Sequence, residues 1–123
     1  MGIIPKEYET KITVNTKELL ACFERASLVI VNEERRYPVN LDIRDDLMVI
    51  KTNTDIGNAR EEIKIDMEGK KLEISFNPRY FIEALRTIEN EQVSIEFTSS
   101  IGPCTIKPVE GDSFAYLILP IRK

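Results

Sequence analysis

Histidine is absent from the 123 residues, which removes the commonest general base and the commonest metal ligand together. The absence weighs against an enzyme. Cysteine is limited to Cys22 and Cys104, far apart and in no paired motif, so neither a disulfide framework nor a zinc site is expected and both read as small apolar fillers. The five glycines stand isolated at 2, 57, 69, 102 and 111, which excludes a glycine-rich phosphate loop. Long apolar runs are also missing. Residues 114–119 are the longest, far short of the ~20 residues of a membrane-spanning helix, so no membrane contact is expected. The opening Met-Gly-Ile-Ile-Pro-Lys has neither the basic region nor the apolar core of a secretory signal, which places the expected location in the cytoplasm. Carboxylate pairs occur at Glu33-Glu34, Asp45-Asp46 and Glu61-Glu62, but neighbours on a strand point to opposite faces and cannot share a proton or a metal. No catalytic residue, cofactor or metal ligand is assigned.

What is present is the make-up of a soluble globular protein: 42% apolar and 31% charged residues, in a length that predicts one domain over residues 1–123. The net charge of −4 would repel nucleic acid overall, although local cation clusters act within a screening length of ~10 Å.

The chain also contains itself twice. Residues 12–26, ITVNTKELLACFERA, match residues 74–88, ISFNPRYFIEALRTI, in character almost position by position. In the first copy Ile12 and Val14 alternate as on a half-buried strand, and Asn15 stands at a helix N-cap with Glu18 as capping-box partner. In the second, Ile74 and Phe76 alternate likewise, Asn77 is the cap, and Pro78 takes the first helical position, where its missing N–H costs nothing. Leu19, Leu20, Phe23 and Ala26, then Phe81, Ala84, Leu85 and Ile88, form the buried helix faces. Strands are expected at 39–43, 47–53 and 59–67 after the first helix, with Asp45-Asp46 as a hairpin turn, and at 93–97, 104–108 and 114–120 after the second. The order is βαβββ twice. Two such units can close about a pseudo-twofold axis, giving an α+β domain with two helices on one face of two antiparallel sheets. The shared helix surface would carry Lys17, Arg25, Arg79 and Arg86 against Glu24 and Glu83, a mixture that composition alone reads as a solvated face.

Three stretches, in order and at matching spacing, resemble the C-terminal domain of the bacterial DNA polymerase III beta subunit, the beta sliding clamp. They are IIPKEYETKITVNTKELLACFERASL at the front, LEISFNPRYFIEAL in the middle and YLILPIRK at the end. The resemblance implies a DNA clamp fold of two pseudo-symmetric βαβββ repeats, the third domain of a three-domain subunit. It implies a non-enzymatic processivity factor, a homodimeric ring around double-stranded DNA. Helices line the hole in such a ring, so Lys17, Arg25, Arg79 and Arg86 would face phosphates without reading sequence. It further implies a pocket for short peptides of polymerases, the clamp loader and repair proteins. Carried over to this chain, the pocket takes Asn77 and Tyr80 from the second helix, Leu117, Ile118, Leu119, Pro120, Ile121 and Arg122 from the end, Ile101 and Pro103 from a loop, and Ile3 from the entry segment. For Leu117 and Leu119, strand alternation alone allows core packing equally well.

The chain departs from the family at Lys123, where an apolar residue is frequent, and at EERRY, 33–37, where Arg36 or Tyr37 would replace an aromatic. Ring closure would use the strand AREEIKI, 59–65, with Glu61 and Glu62, and the apolar pair Leu28 and Val29. The isolated domain is expected to be monomeric. A rival expectation is a stand-alone clamp domain that competes for clamp partners as a regulator.

Overall fold

Two asparagines set the frame. Asn15 ends a strand in extended geometry and its side chain accepts the Glu18 N–H at 2.9 Å; Asn77 does the same for the Arg79 N–H at 2.9 Å, with Pro78 just inside the helix. Each cap turns a β-strand directly into an α-helix. The computed structural model describes residues 8–29, 38–54 and 57–121, without the side chains of Val29 and Thr54. Within them run β1 (Thr10–Asn15), α1 (Thr16–Ala26), a 3₁₀ turn (Ser27–Val29), β2 (Val39–Arg44), β3 (Leu47–Thr54), β4 (Gly57–Lys64), β5 (Asp66–Gly69), β6 (Leu72–Phe76), α2 (Pro78–Thr87), β7 (Gln92–Phe97), β8 (Cys104–Pro108) and β9 (Tyr116–Ile118).

The strands form two antiparallel sheets, ordered β5-β1-β7-β8-β9 and β4-β3-β2-β6. The first strand of each repeat therefore joins the sheet of the other repeat: β1 lies beside β7, and β6 beside β2. This exchange ties the halves together across the pseudo-twofold. The two tight reversals follow local chemistry. Asp45 and Asp46 adopt φ of 54° and 58°, the left-handed pair that a two-residue hairpin between β2 and β3 requires and that aspartate tolerates. Gly69 has φ of 99°, and a Cβ there would stand 2.0 Å from the Glu9 carbonyl oxygen.

Two expected strands are corrected. The stretch 59–67 is not one strand: it breaks at Ile65, where the Ile65 N–H donates to the Asp46 carbonyl and the chain passes from the four-stranded to the five-stranded sheet. Apolar alternation runs on through Ile63, Ile65 and Met67 because both halves face one core, so the pattern carries no mark of the break. The closing strand is also shorter than 114–120, with ladder pairing confined to Tyr116–Ile118. Beyond it, the Ile121 N–H donates to the Ser75 carbonyl on the outer side of β6. The tail thus approaches β6 as β5 approaches β1.

Inward residues of both sheets and the facing helix stripes form one core. At its centre Phe81 stacks on Phe23 with centroids 4.7 Å apart and meets Phe76 edge-on at 5.1 Å. Leu19 and Leu85, which occupy the positions equivalent to Phe81 and Phe23 in the other repeat, are buried as well. Cys22 and Cys104 are free and buried, as fillers; burial pushes both thiols above their ordinary pKa, Cys104 far above.

Candidate docking pocket, helix face and sheet edge

The two repeats differ where a helix meets an edge strand. Glu61 pairs with Ile50 across β3–β4, and Tyr116 pairs with Ile106 across β8–β9, so Glu61 and Tyr116 hold equivalent places. In the first repeat Arg25 closes the gap between α1 and β4 with an ion pair to Glu61 at 2.9 Å. In the second, the equivalent contact joins Thr87 to Tyr116 at 2.9 Å. Thr87 gives its one hydroxyl hydrogen to the Ala84 carbonyl at 2.8 Å, so the Tyr116 hydroxyl is the donor to Thr87.

Against this short bridge, and beside a strand of only three residues, a pocket of about 420 Å³ opens between α2 and β9. It is lined by Tyr80, Glu83, Ala84, Tyr116, Leu117, Ile118 and Leu119. Strand alternation explains the wall. Ile118 points inward and is buried, whereas Leu117 and Leu119 are 61% and 66% exposed. Their equivalents on β4 are Glu62 and Lys64, the charged residues normal for a sheet edge, so the apolar pair is specific to β9. Tyr80 is 50% exposed, one position from the fully buried Phe81. Exposed apolar groups gathered in one concavity mark a docking surface better than scattered ones.

Of the residues assigned to the pocket from sequence, Tyr80, Leu117, Ile118 and Leu119 come together in it. Asn77 lies one turn earlier as the α2 cap, outside the lining. Pro120 and Ile121 continue past the wall, half-buried, and do not line it. Ile101 and Pro103 are also outside the lining. Pro103 adjoins Cys104, which pairs with Ile118, while Ile101 projects into solvent at 73% exposure in a turn where Ser99 Oγ accepts the Ile101 and Gly102 N–H groups. Ile3, Arg122 and the stretch 33–37 fall outside the described residues. Sequence reasoning missed Glu83, Ala84 and Tyr116 as lining. The first two stand three and four residues after Tyr80, the spacing that puts side chains on one helix face, so Tyr80 itself was the available signal.

On the helix face, two of the four assigned cations are already engaged. Arg25 holds Glu61, and Arg86 reaches Glu24 at 3.0 Å across the pseudo-twofold, where the two residues are repeat equivalents. The Glu61 hydrogen bond raises the Arg25 pKa further. Lys17 and Arg79, equivalent positions in the first turns of α1 and α2, are exposed and have no ion-pair partner among the described residues. At the expected ring-closing edge, β4 is an outer strand, with Arg60 and Glu62 paired at 2.8 Å and Leu28 75% exposed nearby. Glu61 turns instead toward α1. The Val29 side chain lies outside the described residues. Among the described residues no group of three or more metal-ligating side chains could hold an ion, and no helix is long and apolar enough to cross a membrane.

Comparison with known proteins gives the geometry a family. The profile for the DNA polymerase III beta subunit, C-terminal domain, matches residues 1–122. A beta sliding clamp of Staphylococcus aureus is 37% identical over 122 residues, 98% of this chain and 32% of that protein. Among solved structures, the DNA polymerase sliding clamp of Bacillus subtilis superposes with a TM-score of 0.92 at 36% identity, over 98% of this chain and 32% of the other. The beta subunit from the DNA polymerase of Streptococcus pyogenes gives 0.90 at 37% identity, over 98% and 33%. The chain thus spans about a third of the length of the relatives it matches. By profile, sequence identity and fold together, the chain belongs to the family of C-terminal domains of the DNA polymerase III beta subunit.

Proposed function

We propose that this chain is the third, peptide-docking domain of a sliding clamp, a non-catalytic module of a ring that encircles double-stranded DNA and tethers replication proteins to it. The observation that carries the docking reading is the apolar pocket between Tyr80 on α2 and Leu117–Leu119 along β9, beside the Thr87–Tyr116 bridge. Its volume and its half-exposed aromatic suit the apolar anchors of a short extended peptide from a polymerase, a clamp loader or a repair protein. Lys17 and Arg79 are the helix-face cations that would meet phosphates most freely, and two such contacts per domain would give weak, sequence-independent attraction. The outer side of β4, flanked by Leu28, is the edge that would close the ring against a second protomer.

The test is a titration of the isotope-labelled domain with an extended peptide in which a glutamine leads a short run of apolar anchors. Chemical shift changes are expected at Tyr80, Ala84 and Tyr116–Leu119. Changes confined to other surfaces would dismiss the pocket.

A further inference from the structure

Among the described residues, the pocket lining holds one formally charged side chain, Glu83. Glu83 makes neither a side-chain hydrogen bond nor an ion pair with any described residue, and its place in the pocket sets it apart from the other unpaired carboxylates of the surface. Arg79, one turn earlier on α2, stands in the less favourable order for a helical pair and makes none with it, and Arg86 is held by Glu24. Glu83 is exposed, and its repeat equivalent is Ala21, so the fold places no demand on a carboxylate there.

Resting on the docking reading of the pocket, we infer that Glu83 is a charge selector at the pocket rim, favouring peptides that carry a lysine or arginine beside the apolar anchor seated against Tyr80 and excluding those with an acidic flank. An incoming cation finds a carboxylate with no ion-pair partner among the described residues next to an apolar wall; an incoming carboxylate meets like charge there. The apolar surfaces of Tyr80, Leu117 and Leu119 supply affinity without regard to charge, and Glu83 supplies the preference.

The experiment uses three peptides that share the apolar anchors and differ at one flanking position, Lys, Gln or Glu, titrated into the domain and into Glu83→Gln and Glu83→Lys at low and high salt. For the unmodified domain at low salt the lysine peptide should bind roughly two- to fivefold more tightly than the glutamate peptide, the range of an exposed ion pair. The ratio should fall toward one near 1 M salt, where the screening length is about 3 Å, toward one in Glu83→Gln, and invert in Glu83→Lys. Equal affinities in the unmodified domain, or a preference that survives Glu83→Gln, would overturn the selector while leaving the pocket standing. A glutamine peptide that leaves Tyr80 and Leu117–Leu119 unperturbed would instead refute the pocket itself, and the selector with it.

Discussion

Tyr80 and Phe81 are neighbours on α2 with opposite surroundings, and replacing each by alanine should separate docking from folding. Phe81 is fully buried, stacked on Phe23 at 4.7 Å and edge-on to Phe76 at 5.1 Å. Its removal deletes a complete side-chain burial, opens a cavity between both helices and β6, and breaks two aromatic contacts; about 3–5 kcal/mol of stability should be lost. Tyr80 already leaves half its surface in water. Full burial of a large apolar side chain is worth about 1.5–3 kcal/mol, so removing the half that is covered should lose only about 1 kcal/mol. In binding the order reverses. An aromatic anchor in a docking pocket contributes about 2 kcal/mol or more, so Tyr80→Ala should weaken the apolar peptide by more than about tenfold. The assays are urea denaturation for stability and the labelled-domain titration for binding, each run on both variants. If Tyr80→Ala unfolds as readily as Phe81→Ala, or binds peptide as well as the unmodified domain, Tyr80 is a packing residue and the reasoning fails.

Gly69→Ala should destabilise the domain by more than about 1 kcal/mol, since the new methyl meets the Glu9 carbonyl at 2.0 Å on top of an unfavourable φ; an unchanged urea midpoint would contradict the close approach of β5 to Glu9. Cys104 titrates far above its ordinary range because burial disfavours the thiolate, so its contribution is complete below about pH 9 and declines above that as the unfolded thiol ionises, by up to about 1.4 kcal/mol per pH unit. Denaturation at pH 8 and pH 10 should show that decline, and Cys104→Ala should show less of it; identical slopes would remove the thiol as the cause. The charged outer side of β4 should keep the isolated domain monomeric, and a tight dimer in sedimentation at low micromolar concentration would show that the edge pairs on its own.

Much of the fold is local and therefore readable in the chain. Asn15 and Asn77 cap because a short polar side chain precedes each helical stripe, and Asp45-Asp46 turns because aspartate accepts a left-handed backbone. The break at Ile65 is not readable, since alternation persists when two strands from different sheets bury the same face. Nor is the engagement of Arg25 and Arg86, which depends on acids brought in from β4 and from the other helix.

The sequence by itself determined two βαβββ units, their caps, their turns and their apolar faces, because each depends on residues within a few positions of one another. Tertiary structure alone decided that β1 and β6 change partners between the halves, that Arg25 and Glu61 bridge one helix–strand junction, and that a pocket lies beside the Thr87–Tyr116 bridge of the other. Those outcomes rest on register and on contacts between residues far apart in the chain. The same alternation that buries Ile118 exposes Leu117 and Leu119, and only the position of α2 alongside turns that exposure into a pocket with Tyr80 and Glu83 on its rim.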